Sequence, residues 1–124
     1  MIVGVGTDLV EIGRIERALA RHRSRLIDRI LGPEERVRLP ETHPAAWLAK
    51  RFATKEAVAK ALGTGFRDGL RLADIQTRHD DQGRPEVVLA GRARDTFERL
   101  GAGQVSLSVS DERAYALAFV VITR

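Results

Sequence analysis

Cysteine is absent from this 124-residue chain. That excludes disulfides, thiolate catalysis and cysteine-ligated zinc. Histidine is scarce as well: His22, His43 and His79 are the whole supply, and their spacing fits no zinc motif. Aromatic residues reach only 5%, too few for a platform that stacks single-stranded nucleic acid. No apolar run approaches the roughly 20 residues of a membrane span. The opening Met1-Ile2-Val3-Gly4-Val5-Gly6 has no basic leader region and no cleavage site, so it does not read as a signal peptide. These absences, with the length, lead us to expect one soluble cytoplasmic domain over residues 1–124, with no membrane partner.

What the chain does have is arginine. Lys and Arg together number 21 against 17 acids, a net charge of +4. Lysine occurs only at Lys50, Lys55 and Lys60. Arginine suits planar, two-point contacts to phosphate and carboxylate. The balance leans toward an anionic partner: nucleic acid, a phosphorylated cofactor or an acidic protein.

Periodicity predicts a strand over Ile2 to Val10, with Val3, Val5, Thr7 and Leu9 on one face and Gly4, Gly6 and Asp8 on the other. Two glycines beside an acid leave room for another group to approach. From Ile12 the pattern turns helical: Ile12, Ile15 and Leu19 form a stripe, with Arg14, Arg17 and Arg21 largely off it. Gly32-Pro33 breaks the chain, and Pro33-Glu34-Glu35 resembles a helix start with acids in its first turn. A longer helix is expected from Pro44 to Leu62, capped by Thr42 or His43 and ended by Gly63. Asp74 to His79 and Glu86 to Leu89 read as strands about the turn Asp81-Gln82-Gly83-Arg84, followed by a helix from Ala90 to Leu100. Val105 to Ser110 and Tyr115 to Thr123 read as a closing hairpin about Asp111-Glu112-Arg113. The expected class is α+β, with helices packed on a mainly antiparallel sheet.

At about 100° per residue, the long helix puts Leu48, Phe52, Ala59 and Leu62 on one apolar face, and Arg51 and Lys55 fall on that same face. Glu56 lies at its edge, and Lys60 one turn further on. Charges are rarely buried unless paired, so these four residues form a candidate polar cluster at the rim of the core. The plainer alternative is an exposed Glu56–Lys60 pair, with Arg51 and Lys55 stretching to solvent. Asp8 is either a helix cap or solvent-facing strand-end acid, or it converges with Glu56. Two converging carboxylates with an open shell suit Mg²⁺, which takes one or two acids plus phosphates and water; Mn²⁺ accepts similar oxygens. Neighbouring Arg51 and Lys60 would then meet phosphate oxygens. Gly63-Thr64-Gly65 either offers N–H groups to a phosphate or is a helix cap and turn. Ser106, Ser108 and Ser110 lack a nucleophile elbow and a nearby histidine; they read as the polar face of an edge strand, with at most one touching a ligand.

Taken together, Gly4-x-Gly6-Thr7-Asp8-Leu9-Val10-Glu11-Ile12-x-Arg14-Ile15, Arg51-Phe52-Ala53-x-Lys55-Glu56-Ala57-x-x-Lys60-Ala61-Leu62-Gly63-Thr64-Gly65 and Ser106-Leu107-Ser108-Val109-Ser110-Asp111 to Tyr115-Ala116 resemble the holo-[acyl-carrier-protein] synthases, a 4′-phosphopantetheinyl transferase family. Gly83-Arg84-Pro85 also stands where that family has a Gly-Lys/Arg-Pro turn. The resemblance spans nearly the whole chain in order. It implies the family's α+β fold and transfer of 4′-phosphopantetheine from coenzyme A to a serine of apo-acyl carrier protein, a step in fatty acid biosynthesis. It implies that Asp8 and Glu56 bind Mg²⁺, and that Lys60 sits against the phosphates. Arg51, Gly63, Thr64, Gly65 and Ser108 would help hold coenzyme A. Arg14 and Arg21 would meet the acidic helix of the carrier protein. It further implies a homotrimer that binds coenzyme A between subunits. The chain departs from the family at Ser106, where histidine is frequent, and has Asp111 at another position where histidine is frequent. From a different class, a basic module for RNA or another polyanion predicts salt-sensitive binding that survives loss of Asp8 and Glu56; a transferase predicts metal-dependent turnover that either loss abolishes.

Overall fold

The computed structural model describes residues 1–67 and 69–124. Strand β1 (Ile2–Glu11) leads directly into helix α1 (Ile12–Ile30), a short α2 (Pro33–Arg36) and the long α3 (Ala45–Ala61). A single 3-10 turn, Leu72–Asp74, then precedes β2 (Ile75–His79), β3 (Pro85–Leu89), α4 (Gly91–Arg99), β4 (Gln104–Asp111) and β5 (Tyr115–Thr123). The strands form two sheets, one ordered β1-β5-β4 and one pairing β2 with β3, and every ladder is antiparallel. The α+β reading holds, and the elements fall close to their expected bounds.

The long helix is where expectation and structure part most. Rather than one apolar face, α3 is buried on nearly every side: Leu48, Ala49, Ala53, Ala57, Val58 and Ala59 are sealed from solvent, and Arg51, Thr54 and Lys55 are buried with them. Alanine makes this possible, because a slim helix can be approached closely from all directions while keeping high helix propensity. Its start also differs. Pro44 is the N-cap and no side chain caps the helix, so neither Thr42 nor His43 serves; His43 instead turns the chain with a φ of 50°.

The glycine face of β1 packs directly on α3. A Cβ on Gly6 would lie 1.9 Å from the carbonyl oxygen of Ala57, and one on Gly4 would lie 1.9 Å from that of Ala61. The group that approaches the two glycines is thus a helix backbone. Every second residue of β5 closes the same layer, with Ala116, Ala118, Val120 and Ile122 buried. The odd face of β1 points away from this core. There Val5, Leu9, Leu117 and Phe119 are between 43% and 61% exposed, an apolar patch on the outer side of the sheet. The pairing aligns Thr7 with Phe119 and Phe119 with Ser108 on that outer face.

Helix α1 buries Ile12 and Ile15 near its start and Ile27 and Ile30 near its end, and it kinks between them at His22 (φ −143°, ψ 47°). The kink lets both halves return apolar residues to the core. Among the described residues no helix is long and apolar enough to cross a membrane.

Gly6→Ala should destabilise the protein by more than the ~1–3 kcal/mol typical of core overpacking, because the methyl group meets backbone rather than a movable side chain. Thermal melting checks this, and an unchanged melting temperature would contradict the contact.

Candidate active site

Asp8 lies toward the end of β1 on its glycine face, two residues beyond Gly6. Glu56 and Lys60 stand one turn apart on α3, on the side that β1 covers. Because glycine lets strand and helix touch, these side chains meet. The Lys60 ammonium donates to Asp8 Oδ1 at 3.1 Å and to the Thr7 carbonyl oxygen at 2.9 Å. Glu56 is half-buried, and its carboxyl is pushed up from the ordinary range, first by burial and then by the Asp8 charge. Lys60, Arg14 and Arg29 pull it back down. Two carboxylates, one ammonium and two guanidinium groups therefore share one rim of the molecule. Arg29 was not legible in the sequence, where it is one arginine among many. Asp8 caps no helix, since Glu11 is the N-cap of α1.

The expected polar cluster on α3 is in fact two clusters. Arg51 and Lys55 turn inward, away from Asp8. Lys55 is fully buried and donates to Glu35 Oε1 at 2.6 Å, to the Leu72 carbonyl at 3.0 Å and to the Ile75 carbonyl. The Glu35 carboxylate is also sealed from solvent and accepts the N–H groups of Gly32 and Thr77 at 3.1 and 3.0 Å. Arg51 Nε stands 3.4 Å from Glu35 Oε2, and its guanidinium lies 4.0 Å over the Trp47 ring. Burial lowers the pKa of both cations, with the Glu35 charge acting against it. Sequence reasoning took Glu35 for a first-turn acid and missed its role. The signal that could have found it was the pair of cations on the apolar face of α3, which needed an anion.

Arg51 borders a cavity of about 260 Å³ that is also lined by Trp47, Thr54, Thr77, Gly83 and Pro85. The Gly83-Arg84-Pro85 turn thus contributes to the same hollow as Arg51. Gly63 and Gly65 take φ of 83° and 59°. Their N–H groups donate to the carbonyls of Lys60 at 3.0 Å and Ala59 at 3.2 Å, closing the end of α3. That is a helix cap, so these two N–H groups already have partners. Thr64 is half-buried between them. Ser108 is exposed on the outer sheet face, on the same rung as Thr7 and on the opposite side of the sheet from Asp8. Arg14 and Arg21 are both exposed on α1, and Arg21 adjoins the kink at His22.

Asp8, Glu56, Lys60 and Arg14 are thus brought together, whereas Arg51, Ser108 and Arg21 stand apart from them within one chain. Among the described residues no three His, Asp or Glu side chains group as metal ligands. A hard dication does not need such a cage where substrate phosphates complete its shell. The two mutually repelling carboxylates are a donor set that fits it.

A family model described as the 4′-phosphopantetheinyl transferase superfamily matches residues 4–120. The holo-[acyl-carrier-protein] synthase of Alkalilimnicola ehrlichii is 56% identical over 124 residues, covering 98% of this chain and 97% of the relative. That of Halorhodospira halophila is 50% identical over 123 residues, with 98% of each covered. Among solved structures, the holo-[acyl-carrier-protein] synthase of Neisseria meningitidis aligns over 100% of both chains with a TM-score of 0.91 and 44% identity. The Helicobacter pylori holo-[acyl-carrier-protein] synthase in complex with coenzyme A aligns over 96% of this chain and 99% of its own, with a TM-score of 0.84 and 29% identity.

Glu56 carries a raised carboxyl pKa in the fold, so its ionisation destabilises the fold; that penalty is absent below the ordinary glutamate range and grows as pH rises above it. Glu56→Gln should therefore raise the melting temperature in chelator at neutral pH and give no rise near about pH 3. Equal behaviour at both pH values would contradict the upward shift of the Glu56 carboxyl by burial and the Asp8 charge.

Proposed function

The chain belongs to the 4′-phosphopantetheinyl transferase superfamily, and from that premise we propose how its own residues move 4′-phosphopantetheine from coenzyme A to a serine of apo-acyl carrier protein. The enzyme is a holo-[acyl-carrier-protein] synthase in activity, and the other product is adenosine 3′,5′-bisphosphate. The observation that carries the site assignment is the meeting of Asp8, Glu56 and Lys60 where β1 crosses α3.

The serine oxygen attacks the β-phosphorus of the pyrophosphate, its proton passing to water, and the P–O bond to the adenosine-side phosphate breaks to release adenosine 3′,5′-bisphosphate. Such a step asks the protein for alignment and charge neutralisation more than for covalent help. Asp8 and Glu56 hold Mg²⁺, or Mn²⁺ with the same oxygen ligands. When bound, the ion neutralises pyrophosphate charge and polarises the phosphoryl oxygens. Lys60 lies against the phosphates, where its ammonium meets the charge that develops on the departing group. Arg14 and Arg21 receive the acidic helix of the carrier protein from the exposed face of α1. The reaction takes place in the cytoplasm.

Coenzyme A is held between subunits of a homotrimer. Arg51, with the Gly83-Arg84-Pro85 turn at its cavity, supplies contacts from one subunit, while the carboxylates come from the next. The Gly63-Thr64-Gly65 loop contributes through Thr64, and Ser108 contributes from the outer sheet face. Two observations support a shared site. Arg51 and Ser108, two of the candidate coenzyme A residues, lie apart from the carboxylates within one chain. The outer sheet face also exposes Val5, Leu9, Leu117 and Phe119 together, a kind of patch that marks an interface.

Asp8→Ala should lower transfer at least about 100-fold while leaving the fold intact, read by mass spectrometry of a carrier protein incubated with coenzyme A and Mg²⁺. Retention of the parent rate would remove Asp8 from the site. Phe119→Asp should give monomers by light scattering and abolish transfer; a fully active monomer would refute the shared site.

A further inference from the structure

The buried Glu35–Lys55 pair makes no hydrogen bond to Asp8, Glu56 or Lys60, though Glu35 Oε2 also stands 3.4 Å from Arg51 Nε, and Lys55 is the largest fully buried side chain on the helix that carries Glu56 and Lys60. Both side chains are sealed from solvent. Their polar atoms are matched one by one. The Lys55 ammonium spends its three donors on Glu35 Oε1 and on the Leu72 and Ile75 carbonyls. Glu35 answers with Lys55 and the Gly32 N–H on one oxygen and the Thr77 N–H on the other. Gln76 adds a further tie, its side-chain oxygen accepting the N–H groups of Glu34 and Glu35 at 3.0 and 3.4 Å. One lysine thus pins α3 to α2, to the Leu72–Asp74 turn and to β2.

Besides Lys55, α3 buries Leu48, Arg51, Thr54 and Val58, and of these Arg51 makes its ion pair with the same Glu35. The rest of the helix's buried surface is alanine, at Ala45, Ala49, Ala53, Ala57, Ala59 and Ala61. Alanine allows close approach, but its shallow ridges interlock weakly. The contact with Gly4 and Gly6 sets how near β1 comes, through backbone carbonyls. A helix with its side chains is about 5–6 Å in radius, so a turn of about 20° carries a side-chain tip about 2 Å. Displacements of about 1 Å are enough to cost a reaction about 100-fold. Glu56 follows Lys55 directly in sequence, so the angle that Lys55 fixes is inherited by Glu56 and, one turn on, by Lys60.

We propose that Glu35 and Lys55 are positioning residues: together they lock the rotation of α3 and so set the spacing of Glu56 and Lys60 from Asp8. The proposal rests on the metal reading given above. It assigns a buried ion pair to orientation rather than to net stability, which such pairs often do not add.

The test compares the parent with Lys55→Met, which removes the pin, and Glu35→Asp, which keeps the charge and draws it back. Ile122→Val, a core truncation outside the network, serves as a control for lost stability. Folding is checked by circular dichroism, Mn²⁺ binding with coenzyme A present by electron paramagnetic resonance, and transfer by mass spectrometry. Both folded variants should bind Mn²⁺ about tenfold or more weakly, as loss of an outer-shell support does, and kcat should fall with it, while Ile122→Val keeps the parent values. Parent-like Mn²⁺ binding in a folded variant overturns the lock and leaves the metal reading standing. A parent that binds no Mn²⁺ overturns the metal reading, and the lock with it. Failure of both variants to fold also overturns the lock, since the pair would then be holding the fold and not the angle.

Discussion

The contact of Gly4 and Gly6 with the backbone of α3 is the constraint from which the candidate active site follows. It brings strand and helix closer than any side chain would permit, with a Cβ on either glycine falling 1.9 Å from a carbonyl oxygen. At that separation a short carboxylate on the strand reaches the ammonium of a lysine on the helix, 3.1 Å away. A wider gap would need longer side chains, which hold a phosphate or a cation less firmly because more rotatable bonds must be fixed. The same closeness dictates the alanine content of α3 and its burial on almost every side.

A helix so enclosed must dispose of its charged residues in two ways, and α3 does both. At the rim, Glu56 and Lys60 meet Asp8 in a setting open enough for a substrate. Inside, Lys55 and Arg51 share Glu35. The two groups lie on neighbouring lines of the helix: four residues separate the members of each pair, and a single residue separates the pairs. One short stretch of sequence therefore serves the interior and the reaction at once.

Periodicity gave most of the fold because the strands and helices keep their periods and their breakers sit at the boundaries. Proline and glycine marked the ends of α1 and α3, and the Asp81–Arg84 turn announced the β2–β3 hairpin. The convergence of Asp8 with Glu56 was legible as one of two alternatives, beside a helix cap or a solvent-facing strand-end acid. The division of the α3 cluster was not legible. A helical wheel gives the direction of Arg51 and Lys55 but does not say what waits there, and their partner Glu35 comes from a four-residue helix that looks solvent-facing in sequence. The backbone role of Gly63 and Gly65 was equally open, because a cap and a phosphate loop use the same residues. The kink at His22 carried no proline or glycine to betray it.

The outer sheet face has a consequence for how the activity scales in a cell. A newly folded chain would have a finished core but an unfinished surface, with Phe119 and Leu117 still facing water. Under the threefold assembly proposed above, a lone subunit is catalytically silent. When subunits are scarce, the number of working sites climbs more steeply than the number of chains, approaching the third power of their concentration. Modest changes in expression would then be amplified into large changes in the supply of active carrier protein.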